Sequence, residues 1–232
     1  MGAFATRIAV LTAGLASLWL FTAGAHAAER PPMGINQICG ECRLEKVAAC
    51  KGFLEGAAFD AEGTLWMVGL VSGEVMKLVD GQCQAVGRTG GAPNGAKFHA
   101  DGRLFITDRI RGLIAFDPTT ASVTPIRSTY GAENLRGLND LVFDKAGGIY
   151  FTEPYGSSVL NPNGRVFYLP PGPNARPSLI ADRIAFPNGI ALSPDEKRAS
   201  ISANMPRTAS WRCRCKARAH PMSAFRLTSS HS

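Results

Sequence analysis

Asn139-Asp140-Leu141-Val142-Phe143-Asp144 is a polar leader, a short apolar run and a polar turn residue, and three other segments repeat the arrangement. Upstream stand Glu55-Gly56-Ala57-Ala58-Phe59-Asp60 and Asn94-Gly95-Ala96-Lys97-Phe98-His99; downstream stands Asn188-Gly189-Ile190-Ala191-Leu192-Ser193. In the first three repeats a glycine follows eight residues after the leader, at Gly63, Gly102 and Gly147. The leaders lie 39, 45 and 49 residues apart, which is the period of propeller blades and not of helical solenoids. In a propeller the innermost strand of each blade lines the axis, so equivalent leaders converge there. One carboxylate and three carboxamides would then form an oxygen-rich site suited to a hard cation.

The rest of each repeat supports an all-β reading. Leu65-Trp66-Met67-Val68, Leu104-Phe105-Ile106-Thr107 and Ile149-Tyr150-Phe151-Thr152 are second strands, each entered from a glycine-containing turn. Val75-Met76-Lys77-Leu78, Leu113-Ile114-Ala115-Phe116 and Val166-Phe167-Tyr168-Leu169 are third strands. Trp66, Phe105 and Tyr150 hold matching places and are expected to pack between blades. The third repeat carries a seven-residue insertion around Tyr155 to Asn163. The fourth begins cleanly, but Ala199-Ser200-Ile201-Ser202 is a poor substitute for the aromatic strands before it, and the alternation ends after Asn204. Met205 to Ser232 is therefore expected to be a non-native extension or a flexible basic tail. The domain reading is residues 1–27 as an export signal, 28–52 as a cysteine-containing segment, 53–204 as a propeller of about four blades, and 205–232 as the tail.

Arg7, the uncharged apolar run from Ile8 to Gly24, and the small-x-small site Ala25-His26-Ala27 make the export signal. Cleavage after Ala27 would leave no membrane span and a periplasmic or secreted protein. The formal charge of +7 misleads, because Arg7 and six basic residues beyond Asn204 account for all of it. Residues 28–204 are neutral, so nothing marks a nucleic-acid partner. Cys39, Cys42, Cys50 and Cys83 are expected to form two disulfides, with three pairings open. Zinc or redox use of Cys39-Gly40-Glu41-Cys42 lacks a second metal-spaced pair or a thioredoxin-like strand–helix setting.

The Glu55-Gly56 leader, the run Gly137-Leu138-Asn139-Asp140-Leu141-Val142-Phe143-Asp144, Tyr150-Phe151-Thr152, and Phe186-Pro187-Asn188-Gly189-Ile190-Ala191-Leu192-Ser193-Pro194-Asp195 resemble the gluconolactonase and senescence-marker-protein (regucalcin-like) family. The resemblance covers about residues 53–204 and implies a six-bladed β-propeller, here incomplete. It also implies an axial divalent cation, calcium or alternatively zinc, and hydrolysis of a small-molecule lactone or ester. Glu55 matches the family's first-blade glutamate ligand and Asn188 its Pro-Asn-Gly ligand. Asn139 matches an asparagine that binds metal in some members and substrate in others. Asn94 holds the equivalent place in the second repeat, as a substrate contact or a support to the site. Family members that use an arginine on substrate place it two residues before the asparagine; here that position is Gly137, and Arg136 is its neighbour. Ala57 stands where the family has proline, Gly69 where many members have aspartate, and a further aspartate ligand comes from a later blade.

A cation on these leaders would polarise the lactone carbonyl, and a nearby carboxylate would accept the proton of the attacking water. Asp140 and Glu153 are the acids nearest the leaders in sequence, although strict alternation would point Asp140 away from Asn139. Against this stands the plain reading of Asn-Gly as turn chemistry. The alternative for the whole chain is a non-catalytic propeller that binds a ligand, or a degenerate fragment.

Overall fold

The computed structural model describes residues 45–203, with the backbone of 210–214 and 228–230. The export signal, Cys39 and Cys42 lie outside the described residues. The first blade is β1 (Leu54–Phe59), β2 (Leu65–Gly69), β3 (Glu74–Val79) and β4 (Gln82–Arg88), paired antiparallel in that order. The second is β5 (Pro93–Phe98), β6 (Leu104–Asp108), β7 (Gly112–Phe116) and β8 (Val123–Arg127). A two-stranded ribbon, β9 (Thr129–Tyr130) and β10 (Glu133–Asn134), leads into the third: β11 (Leu141–Phe143), β12 (Ile149–Glu153), β13 (Gly164–Leu169) and β14 (Ser178–Ile184). The fourth is β15 (Pro187–Leu192), β16 (Arg198–Ala203), β17 (Ser210–Arg214) and β18 (Thr228–Ser230). The repeats are thus four-stranded blades of an all-β propeller.

Two findings depart from the sequence reading. Each blade has an outer fourth strand that no repeat signal marks. And β17 pairs onto β16 and β18 onto β17 in register, Ile201 opposite Trp211 and Trp211 opposite Ser229, although the repeat is expected to fail after Asn204.

Blades are held together by the second-strand aromatics. Trp66 meets Phe98 edge-on at 5.6 Å and Phe105 meets Phe143 at 5.3 Å, while Tyr150 packs on Ala199. His99 takes the turn position of Asp60 and Asp144, and its ring fills the gap between Phe105 and Phe143 at 5.4 and 5.1 Å. Register puts Ser200 next in this series, since it lies opposite Ala191 as Tyr150 lies opposite Val142. At the other end Phe59, the counterpart of Phe98 and Phe143, is 66% exposed. Strands β6 and β7 are buried along their whole length because a blade covers each face. Burying a phenylalanine such as Phe116, Phe151 or Phe167 contributes roughly 1.5–3 kcal/mol apiece.

The tight turns are closed by acids. Asp60 accepts from the N–H groups of Glu62 and Thr64 and from the Trp66 indole, and Asp144 from Ala146, Gly148 and the Tyr168 hydroxyl. Of the expected cysteine pairings, Cys50–Cys83 is present, joining the segment before β1 to the outermost strand of the same blade.

Candidate functional site

The leaders owe their setting to irregularities in the inner strands. Pairing slips between Glu55 and Ala58, between Pro93 and Ala96, and between Pro187 and Ile190, so Asn94-Gly95 and Asn188-Gly189 sit in bulges, while Glu55 stays paired with Val68 at the edge of one that takes Gly56 and Ala57. Bulges re-aim side chains that a regular strand would alternate. In the third blade Asn139 and Asp140 precede β11, yet the Asn139 N–H still donates to the Thr152 carbonyl and the Thr152 N–H to that of Asp140, each at 3.0 Å.

Neighbouring inner strands approach at backbone distance. The Gly95 N–H donates to the Asn139 carbonyl at 2.6 Å. A Cβ on Gly95 would lie 2.6 Å from that oxygen, and one on Gly56, at φ +58°, would lie 2.5 Å from the Asn94 carbonyl oxygen. Only glycine permits this closeness. Asn94 is buried, while Glu55, Asn139, Asp140 and Asn188 are partly exposed.

Asp140 lies just before β11, outside any regular strand. Its Oδ1 accepts from the Leu141 N–H at 2.8 Å, and its Oδ2 reaches the fourth blade to accept from the Ile190 N–H at 3.1 Å. Glu55 has its carboxyl pushed up by burial first and then by the negative charge of Asp140. Acids from the first and third blades therefore share one electrostatic neighbourhood, bounded by the inner strands that carry Asn94, Asn139 and Asn188.

Glu153 and Arg136 belong to a different place. Glu153 is 4% exposed; one oxygen accepts the Arg136 N–H at 2.9 Å and the other the Arg165 guanidinium at 2.6 Å. Asp108, one blade earlier, does the same kind of work, taking N–H groups from Ala92, Ile110 and Arg111. Arg136 is exposed beside Glu133, Tyr155, Asn163 and Arg165 around a cavity of about 550 Å³, which the third-blade insertion helps to line.

The residues missed from sequence are hydroxyls. Thr107 and Thr152, both fully buried, and the exposed Ser202 sit near the ends of β6, β12 and β16, and each accepts an N–H from a leader segment. Their recurrence beside Asp108 and Glu153 was the available signal.

The donor set fits a hard cation. Among the described residues no three His, Cys, Asp or Glu side chains group together. The oxygens on offer are the carboxamides of Asn139 and Asn188 with the carboxylate of Glu55.

A β-propeller whose inner strands carry acids and asparagines at equivalent places is the class that the fold defines. Within it, residues 53–230 match the family described as SMP-30/Gluconolactonase/LRE-like region, and the chain belongs to that family. It is 37% identical over 119 residues to a gluconolactonase of Zymomonas mobilis, covering 47% of this chain and 33% of that one. It is 34% identical over 152 residues to lactonase drp35 of Staphylococcus haemolyticus, covering 62% and 46%. The matches thus span a third to a half of those relatives' lengths. Among solved structures, a Xanthomonas campestris gluconolactonase superposes with a TM-score of 0.64 at 24% identity, covering 78% of this chain and 62% of that one. A calcium-binding regucalcin of Agrobacterium tumefaciens gives 0.58 at 19% identity, covering 75% and 58%.

Proposed function

We propose that this chain carries the axial site of a divalent-cation-dependent hydrolase acting on a small lactone or related ester. The observation that carries the reading is the close approach of the inner strands that carry the leaders, Gly56 against Asn94 and Gly95 against Asn139. Glu55, Asn139 and Asn188 would hold the cation, with calcium the best match to an all-oxygen set. When bound, the cation would polarise the lactone carbonyl. Two backbone N–H groups hold Asp140 facing the fourth blade, which places it to take the proton of the attacking water. Glu153 is already engaged by Arg165 and the Arg136 N–H, so the role goes to Asp140. Asn94 and Asn139 would contact substrate from the inner strands, and Arg136 from the rim.

The relatives' names supply the lactone, and the carboxamide-rich site supports a cation because neutral ligands leave its charge largely uncompensated. The family's further aspartate ligand comes from a blade beyond these four, so residues 1–232 alone are expected to hydrolyse lactones weakly or not at all. The Cys50–Cys83 bridge supports export to the periplasm or beyond, where such bonds persist.

The test is thermal unfolding with and without calcium, alongside gluconolactone hydrolysis. A cation held at 100 times its Kd stabilises by about 2.7 kcal/mol, and Glu55→Gln should abolish the gain. A melting temperature indifferent to calcium, zinc and magnesium would leave the chain as a cation-free binding module.

A further inference from the structure

Three hydroxyls stand in one relation to the leaders. Thr107 Oγ1 accepts the Gly95 N–H at 2.9 Å and donates to the Asn139 carbonyl, one blade on, at 2.7 Å. Thr152 Oγ1 accepts the Asp140 N–H at 3.1 Å and donates to the Asn188 carbonyl, again one blade on, at 2.7 Å. Ser202 Oγ accepts the Gly189 N–H at 3.0 Å, and its contact with the Gly189 carbonyl is 3.5 Å. Each threonine therefore ties the backbone beside one leader to the carbonyl of the next. The ties run in series: Gly95 to Asn139 through Thr107, then Asp140 to Asn188 through Thr152.

We propose that Thr107 and Thr152 are positioning residues that set the spacing of the asparagine leaders, and with it the geometry of the cation site. The inference rests on the cation reading for its ligand, while the positioning itself is independent of that reading. Three features distinguish these hydroxyls from ordinary strand threonines. Both are 0% exposed, so no water can replace the bonds. Each bridges two blades, where a strand threonine would bond within its own sheet. And Thr107 acts on the bulge that holds Gly95, and Thr152 on the bulge that holds Asn188, where the ladder that would otherwise hold the backbone is interrupted. The first blade supplies the contrast: Val68, opposite Glu55, holds the matching place with the shape of threonine and no hydroxyl. There Gly56 brings the strands together by contact alone.

Removing the Thr152 hydroxyl would leave the Asp140 N–H and the Asn188 carbonyl without their partner and free Asn188 to shift against Asn139. Loss of a group that orients a metal ligand typically weakens metal binding 10–100-fold. Calcium titration calorimetry on the full chain, run well below each variant's melting temperature, reads this effect. Thr152→Val is expected to bind calcium at least 10-fold more weakly, with Thr152→Ser close to the parent. The side-chain amide NMR signals of Asn139 and Asn188, recorded without cation, give a second readout. They are expected to move in Thr152→Val and return in Thr152→Ser. Should Thr152→Val not fold, Ser202→Ala on the exposed side of the fourth blade takes its place, with the Asn188 signal as readout. Signals that stay put, or calcium affinity equal to the parent in a folded Thr152→Val, would overturn the proposal. A parent that binds no calcium while the signals still move would sink the cation reading and uphold the positioning.

Discussion

Breaking the Cys50–Cys83 bridge should cost this chain a large part of its stability, and the size follows from its place in the sequence. The two cysteines are 33 residues apart, and the loop they close contains β1, β2 and β3. For a loop of that length the chain-entropy relation removes about 12.5 cal/mol/K from the unfolded state, or about 3.7 kcal/mol at 25 °C. At 2–4 °C per kcal/mol for a domain of this size, the midpoint should fall by about 7–15 °C. Local structure points the same way. Val47, Ala48 and Cys50 wall a cavity of about 370 Å³ with Leu54, Leu65, Met67 and Leu78, so the bridge also seats this segment on the open face of the first blade. Glu55 follows Cys50 by only five residues, so loosening the segment should weaken cation binding as well. The assay is scanning calorimetry on the parent and on Cys50→Ser/Cys83→Ser, with and without a phosphine reductant. The reductant should bring the parent down towards the variant's midpoint and lower the variant less. Equal midpoints for oxidised parent and variant would refute the reasoning.

Two further outcomes are expected. Phe151→Ala deletes a fully buried ring stacked on Phe167 at 5.4 Å and should destabilise by about 3–5 kcal/mol in urea unfolding, with an unchanged slope. Asp101 has its carboxyl held well below the usual range: burial opposes this, but hydrogen bonds from Arg103 and His99 outweigh it. Its contribution is therefore complete above the unfolded pKa near 4 and is lost as pH falls towards the depressed value. Asp101→Asn should melt lower than the parent at pH 7, with the gap closing in acid; a gap unchanged at pH 2 would contradict this.

How much was legible follows from what each element buries. Trp66, Phe105 and Tyr150 lie in strands packed on both faces, so hydrophobicity and spacing announce them together. The outer strands have no such signature: β4 is largely exposed, and β8 contains Pro125 opposite Ile114, acceptable only towards a sheet edge. Alternation fixes no direction for Asp140, because it presumes a regular strand and Asp140 lies in the stretch before β11. Glu153 looked like a spare acid because its partners, Arg165 and the Arg136 N–H, come from elsewhere in the chain. Thr107 and Thr152 passed as ordinary β-formers, since what sets them apart is a bond to the following blade.

Ser200 has a consequence for whatever packs against the fourth sheet. In the three blades before it the same register position carries a ring, from Trp66, Phe105 and Tyr150, and the rings of Trp66 and Phe105 each meet an aromatic partner one blade on. At Ser200 a hydroxymethyl group leaves no ring to stack, so any surface seated on this face must draw its hold from shape and hydrogen bonding instead.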